Sequence, residues 1–253
     1  ILNQGDANGA HADKALEGLY LFAWNPLLLL MAVGDGHNDI VMMVFALLAF
    51  WFLRRESWTL ALGALALSIW IKYVSVIFLP LFVLYIWRQK HLQERVGFSQ
   101  GEKPGWALVI GLGAALLVTV LILAPFWPVT WASGLLQRLL MPANWRGDVA
   151  GWSRWALLGG LILFAVFYSA LVRRFAMVHA TWAVLVGTSF FVALCAFILG
   201  AARSQPWHLL WPAALAGLSP AKWAWPVTIG LSGLMLVTLI WIEWGMPGIG
   251  VFS

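Results

Sequence analysis

"WNPLLLLMAVGDGHNDIVMMVFALLAFWFL", residues 24–53, decides the fold. An apolar run ends at Val33, six residues of Gly, Asp, His and Asn follow, and a second apolar run begins at Ile40. A soluble amphipathic helix would place a charged residue every turn or so, and neither run does. Apolar stretches parted by a few turn-forming residues are the pattern of membrane helices and their connections, each helix needing roughly 17–25 residues for a hydrocarbon core about 30 Å thick.

The same pattern recurs along the chain. Of its 253 residues, 62% are hydrophobic and 10% charged, whereas a soluble domain is about a quarter charged. The composition therefore predicts an all-α protein, a polytopic bundle of transmembrane helices. A single transmembrane domain covers residues 1–253. About nine apolar runs are candidate helices, near residues 18–34, 39–53, 57–71, 73–88, 105–125, 151–172, 177–201, 205–218 and 223–242. Several are shorter than a full span, which suggests tilted, broken or re-entrant helices packed inside protein. Pro26, Pro80 and Pro212 fall inside these runs and read as kinks. The chain opens on the polar stretch "ILNQGDANGAHADKALEG", with neither Met nor a signal-peptide pattern, so the expectation is the carboxy-terminal portion of a longer chain.

Charge placement sets an orientation. Arg54, Arg55, Arg88, Lys90, Arg95, Lys103, Arg173, Arg174 and Lys222 fall on one side if the helices alternate, and the excess of Lys and Arg makes that side cytoplasmic. Residues 34–39, 126–150 and 202–208 then share the outer face. Because the basic residues sit at span ends, the net charge of +5 is no sign of nucleic-acid binding. Cys195, the single cysteine, excludes an internal disulfide and reads as a small core hydrophobe. Eighteen tryptophans fit interfacial belts, with Trp58, Trp87, Trp106 and Trp223 among those at span ends. Trp127, Trp131, Trp145 and Trp207, on the outer side, are also placed to stack on a sugar ring.

Three polar constellations face outward. In "GDGHND", Asp35, His37, Asn38 and Asp39 lie between two hydrophobic helices. Turn chemistry explains Gly, Asn and Asp there, with Asn38 or Asp39 as the N-cap of the next helix. A sugar-binding reading also explains the histidine, since sugar hydroxyls both donate and accept hydrogen bonds. Lys72 lies in "LSIWIKYVSVIFLPL" with no counter-charge near it in sequence. Segment 57–88 is best drawn as a hairpin with Lys72 at its outer tip, where the ammonium either snorkels to the interface or meets a lipid phosphate. In "ARSQPWHLLWP", residues 202–212, Arg203 and His208 bracket a Pro-Trp step. Either an interfacial turn or a phosphate and sugar site explains that set.

These segments together resemble a known family. "LYLFAWNPLLLLMAVGDGHNDIVMMVFALLAFWFL" resembles the Asn-Pro…Gly-His-Asn-Asp segment of the GT-C superfamily of multispanning glycosyltransferases. Its closest branch is that of the bacterial polyprenyl-phosphate-mannose-dependent mannosyltransferases. "IKYVSVIFLPLFVLYIWR" and "QPWHLLWPAALAGL" resemble that family's following hairpin and its late helix, in family order. The resemblance implies a multi-pass protein of the bacterial plasma membrane. It would transfer a sugar, mannose in that branch, from a polyprenyl-phosphate donor to an acceptor outside the cytoplasm. His37, Asn38, Asp39, Trp207 and His208 would bind substrate, and Lys72 and Arg203 the lipid phosphate. The family's catalytic aspartate in the first outer loop has no equivalent here, so the catalytic residue is unassigned. No cofactor is firmly implied; a divalent cation on Asp35, His37 and Asp39 is a minor alternative. Expected partners are membrane lipids, the donor lipid and other subunits of a membrane complex. A non-catalytic membrane subunit or scaffold is the competing reading, and a small-molecule transporter a third.

Overall fold

The computed structural model describes residues 16, 18–31, 38–96, 104–123, 151–178, 181–199, 206–219 and 221–245. Helix accounts for nearly all of them, and no strand occurs among the described residues. We number the helices α1 (Pro26–Leu29), α2 (Asp39–Arg54), α3 (Trp58–Ile71), α4 (Leu79–Val96), α5 (Pro104–Leu123), α6 (Gly151–Met177), α7 (Trp182–Leu199), α8 (Leu210–Ala216) and α9 (Ala224–Gly245). Two 3₁₀ segments, Tyr73–Phe78 and Pro206–Leu209, lead into α4 and α8. Each apolar run of the sequence carries helix, but not each forms one unbroken span. Leu158–Met177 and Trp182–Leu199 are long and apolar enough, by length and composition, to cross a membrane. Other apolar helices, among them Trp58–Ile71 and Ala224–Ile240, are shorter.

Of the three prolines read as kinks, Pro26 marks a break, and Pro80 and Pro212 stay inside helical stretches. Pro26 opens α1, Pro80 is the second residue of α4 and Pro212 the third of α8. A first turn has N–H groups with no intrahelical acceptor, so proline's missing donor costs nothing there. Pro26 restarts a helix after a break, whereas Pro80 and Pro212 lie just past 3₁₀-to-α junctions inside continuous helical stretches. The run at 18–34 shows the break clearly. Its helix ends at Trp24 and Asn25, and Asn25 Oδ1 accepts from the Leu27 and Leu28 N–H groups to cap α1. Asn25 Nδ2 donates to Ser232 Oγ on α9 at 2.8 Å, tying the broken helix to a distant one.

The α2–α3 hairpin forms the centre. Its turn is a Schellman closure: Ser57 N–H donates to the Phe52 carbonyl and Glu56 N–H to that of Leu53. Glu56 sits at φ 58°, a left-handed position normally taken by glycine. Helix α3 also packs closely on α5, where Gly111 abuts Leu62, and α6 meets α7 where Gly160 faces the Leu199 carbonyl. Small residues allow helices to approach this closely when both faces are apolar. Phe50, Phe78 and Phe82 interlock edge-to-face inside the core. Trp58, expected in an interfacial belt, belongs to that core: it is buried and meets the edge of Tyr85. Trp87, Trp106 and Trp223 are exposed.

The outer helices show apolar side chains to their surroundings. Leu161, Ile162, Leu163, Val166 and Phe167 on α6 are all exposed, as are Val109, Leu116, Leu117 and Leu121 on α5. Continuous apolar faces of this size need a nonaqueous neighbour.

Candidate functional site

The antiparallel α2–α3 hairpin brings the start of α2 beside the end of α3. Asp39 is the first residue of α2 and Lys72 the residue that ends α3. Each charge suits its helix end, since an N-terminus favours a carboxylate and a C-terminus an ammonium. At Lys72 the backbone turns extended, φ −153° and ψ 116°, before the 3₁₀ segment resumes. The break expected at Lys72 is thus present, and it lets the side chain swing toward α2.

Lys72 Nζ donates to both oxygens of Asp39, at 2.9 Å to Oδ1 and 2.7 Å to Oδ2. Lys72 therefore has a counter-charge after all, 33 positions away in sequence. Asp39 is wholly buried, whereas the Lys72 side chain is 25% exposed. A third partner comes from α8, whose Trp211 Nε1–H donates to Asp39 Oδ1 at 2.6 Å. Two further groups neighbour the Trp211 ring: Lys72 Nζ is 5.6 Å from its centroid and the His208 ring 4.6 Å. Cation–π attraction therefore adds to the ion pair on the same ammonium.

One turn further inward, a hydroxyl pair supports this arrangement. Ser68 Oγ lies 2.8 Å from the Met42 carbonyl oxygen and 2.8 Å from Ser75 Oγ. With one hydroxyl proton, Ser68 donates to Met42 and accepts from Ser75. Ser68 is buried on α3, Met42 follows Asp39 on α2 and Ser75 follows Lys72 in the 3₁₀ segment. The bonds clamp the hairpin and the break together.

Three sequence segments that look unrelated thus meet at one end of the bundle. Asp39 from the first, Lys72 from the second and His208 from the third share a cluster through Trp211. The structure brings Asp39 and Lys72 into one ion pair, where the sequence assigned one to the sugar and the other to the phosphate. Asn38 is exposed and occupies the N-cap position without a side-chain capping bond. Trp207 lies in the Pro206–Leu209 segment. Asp35, His37, Arg203 and the Trp207 side chain lie outside the described residues, as do Trp127, Trp131 and Trp145. No group of three His, Cys, Asp or Glu side chains suited to a metal occurs among the described residues. Both Asp39 oxygens already face an ammonium, which is a poor start for a cation site. Sequence reasoning missed Trp211, Ser68 and Ser75. Trp211 stands three residues after His208, a helical spacing that gave a usable signal.

The basic residues gather at the far end. Arg88 donates from α4 to the Val178 carbonyl beyond α6, and Arg54 lies over the Trp182 ring at the start of α7. Fifteen residues of α2 separate Asp39 from Arg54, about 22 Å at 1.5 Å per residue.

Residues 7–88 match a family model described as alpha-(1->6)-mannopyranosyltransferase, N-terminal domain. Alpha-(1->6)-mannopyranosyltransferase A of Mycobacterium tuberculosis (strain ATCC 25618 / H37Rv) is 26% identical over 262 residues. That alignment covers 90% of this chain and 46% of the relative, so the chain spans about half the relative's length. The family match contains Asp39 and Lys72, while Trp211 and His208 lie beyond it. No solved structure matches the chain.

Proposed function

We propose that this chain is part of an integral membrane mannosyltransferase. In this reading mannose passes from a polyprenyl-phosphate donor to an acceptor hydroxyl on the extracytoplasmic side. The observation that carries it is the similarity to a mannopyranosyltransferase along 90% of the chain. Two helices suited to crossing a membrane, and the gathering of Arg54 and Arg88 away from Asp39, support the membrane setting and its sidedness.

The polar end of the bundle supplies chemistry suited to such a reaction. A departing phosphate needs positive charge held in place, and an incoming hydroxyl needs hydrogen-bonding groups around it. Lys72, partly exposed, and Arg203 are assigned to the lipid phosphate. An ammonium has three donors, so Lys72 can hold Asp39 and still offer one outward. Asp39 is buried beneath it and acts as the positioning residue for that ammonium. His37, Asn38, Trp207 and His208 are assigned to the sugar and acceptor.

A second reading has one observation in its favour. Asp39 and Lys72 neutralise each other, as a purely structural staple in a scaffold subunit would. Transfer itself separates the two. Membranes carrying the full-length protein should move labelled mannose from a polyprenyl-phosphate donor to a mannan acceptor, and should ignore a nucleotide-sugar donor. Membranes no more active than those lacking the protein would leave the scaffold reading standing.

A further inference from the structure

The other end of α2 carries a feature that the transfer reaction does not use. A groove of about 510 Å³ runs between α2, α7 and the chain beyond α8. Its walls include Val44, Leu48 and Trp51 on α2, Trp182 on α7 and Leu218. Val44, Leu48 and Trp51 are each 38–50% exposed, one stripe at helical spacing on a face that no described helix covers. Arg54 is the one charged residue lining the groove among the described residues, and it stands at one end.

Charge and length both restrict what could lie there. Among the described residues neither Arg54 nor Arg55 has an ion-pair partner. Their guanidinium groups rest on aromatic faces, Arg54 at 5.8 Å from the Trp182 centroid and Arg55 at 5.0 Å from that of Trp51. Neighbouring Glu56 is exposed, and its carboxylate lies near Tyr85. From Val44 to Arg54 is ten residues, about 15 Å of helix. That equals half of a hydrocarbon core about 30 Å thick, the depth of one leaflet. The groove is therefore apolar for the length of one lipid tail and cationic where that lipid's headgroup would sit. It lies at the Arg-rich end, which the positive-inside rule puts on the cytoplasmic side, where anionic lipids are abundant.

We propose that this groove binds one anionic phospholipid of the cytoplasmic leaflet, its tail along Val44, Leu48 and Trp51 and its phosphate at Arg54. Arg holds a phosphate by paired N–H bonds, and two aromatic rings keep the guanidinium groups at headgroup depth. The site is distinct from the donor-lipid site, which lies at the opposite end of α2. It rests on the membrane reading above and is independent of the transfer reaction.

The test uses full-length protein in nanodiscs of phosphatidylcholine with a minor fraction of phosphatidylglycerol, followed by detergent exchange and native mass spectrometry of retained lipid. Wild-type protein should keep one phosphatidylglycerol. Arg54→Gln should lower that occupancy about fivefold, the usual loss for one cation at an anionic surface. Leu48→Trp, which fills the groove and leaves the charge, should lower it as well, and it decides the matter if Arg54→Gln fails to fold. Arg174→Gln, at the same end but outside the groove, should keep wild-type occupancy. Retention unchanged in both groove variants would overturn the proposal. So would an equal loss in Arg174→Gln, or experimental density showing polypeptide in the groove. Failure of the protein to enter nanodiscs at all would remove the membrane reading, a result recognisable before any lipid is counted.

Discussion

Breaking the Asp39–Lys72 pair from either side should have unequal cost. Asp39 has no solvent access, whereas a quarter of the Lys72 side chain is exposed. Lys72→Met leaves a buried carboxylate whose one remaining partner among the described residues is the Trp211 N–H. An uncompensated buried charge of that kind costs about 3–5 kcal/mol. Asp39→Asn keeps the shape and keeps an acceptor for Trp211, and the ammonium it abandons can turn toward water or headgroups. That loss should be smaller, about 1–3 kcal/mol. The double variant carries no buried charge, so its loss should fall about 2–3 kcal/mol short of the sum of the two single losses. Unfolding in mixed micelles of increasing denaturing detergent reads all four proteins. For a chain of this size the Lys72→Met loss corresponds to a fall in Tm of roughly 10 °C. Two independent, additive losses would refute the pairing. An Asp39→Asn loss larger than that of Lys72→Met would refute the burial argument.

Neighbouring glycines on α6 give a sharper local test. A Cβ on Gly160 would strike the Leu199 carbonyl, while one on Gly159 meets nothing within 4 Å. Gly160→Ala should therefore destabilise by about 1–3 kcal/mol, and Gly159→Ala should stabilise by up to about 1 kcal/mol, both read by the same unfolding assay. Glu56→Gly removes the strain of a left-handed non-glycine residue but loosens the unfolded chain, so a net gain of about 0.5–1 kcal/mol is expected. Cysteine placed at exposed Asn38 should react with an impermeant reagent added outside intact cells, and cysteine at Arg95 should react only after permeabilisation. The opposite pattern would invert the sidedness.

The apolar runs were legible because burial in lipid or in a helical bundle removes the need for a polar face, and composition alone records that. Pro26 misled for a physical reason. It occupies a first turn, and a first turn with its neighbours apolar on both sides resembles a kinked span in sequence. The Asn25 cap was the available clue, an acceptor side chain directly before proline. Lys72 looked unpaired because its carboxylate belongs to a different helix, and only the antiparallel closure of the α2–α3 hairpin unites them. Trp58 looked like a belt residue because its position at a helix start is the same for both fates. Packing against Tyr85 decides between them, and no local pattern encodes it. The resemblance to mannosyltransferases was legible in the Gly-His-Asn-Asp segment and agrees with the family match over residues 7–88.

In the proposed reading, the end of the bundle holding Asp39, Lys72, Trp211 and His208 handles the sugar and its lipid phosphate. The most direct measurement is mannose transfer from a polyprenyl-phosphate donor by full-length His37→Ala and His208→Ala proteins, with unfolding midpoints recorded alongside. Each variant should lose about tenfold or more of its transfer rate while its midpoint stays near wild type. Wild-type transfer rates in both variants, at unchanged stability, would contradict that reading.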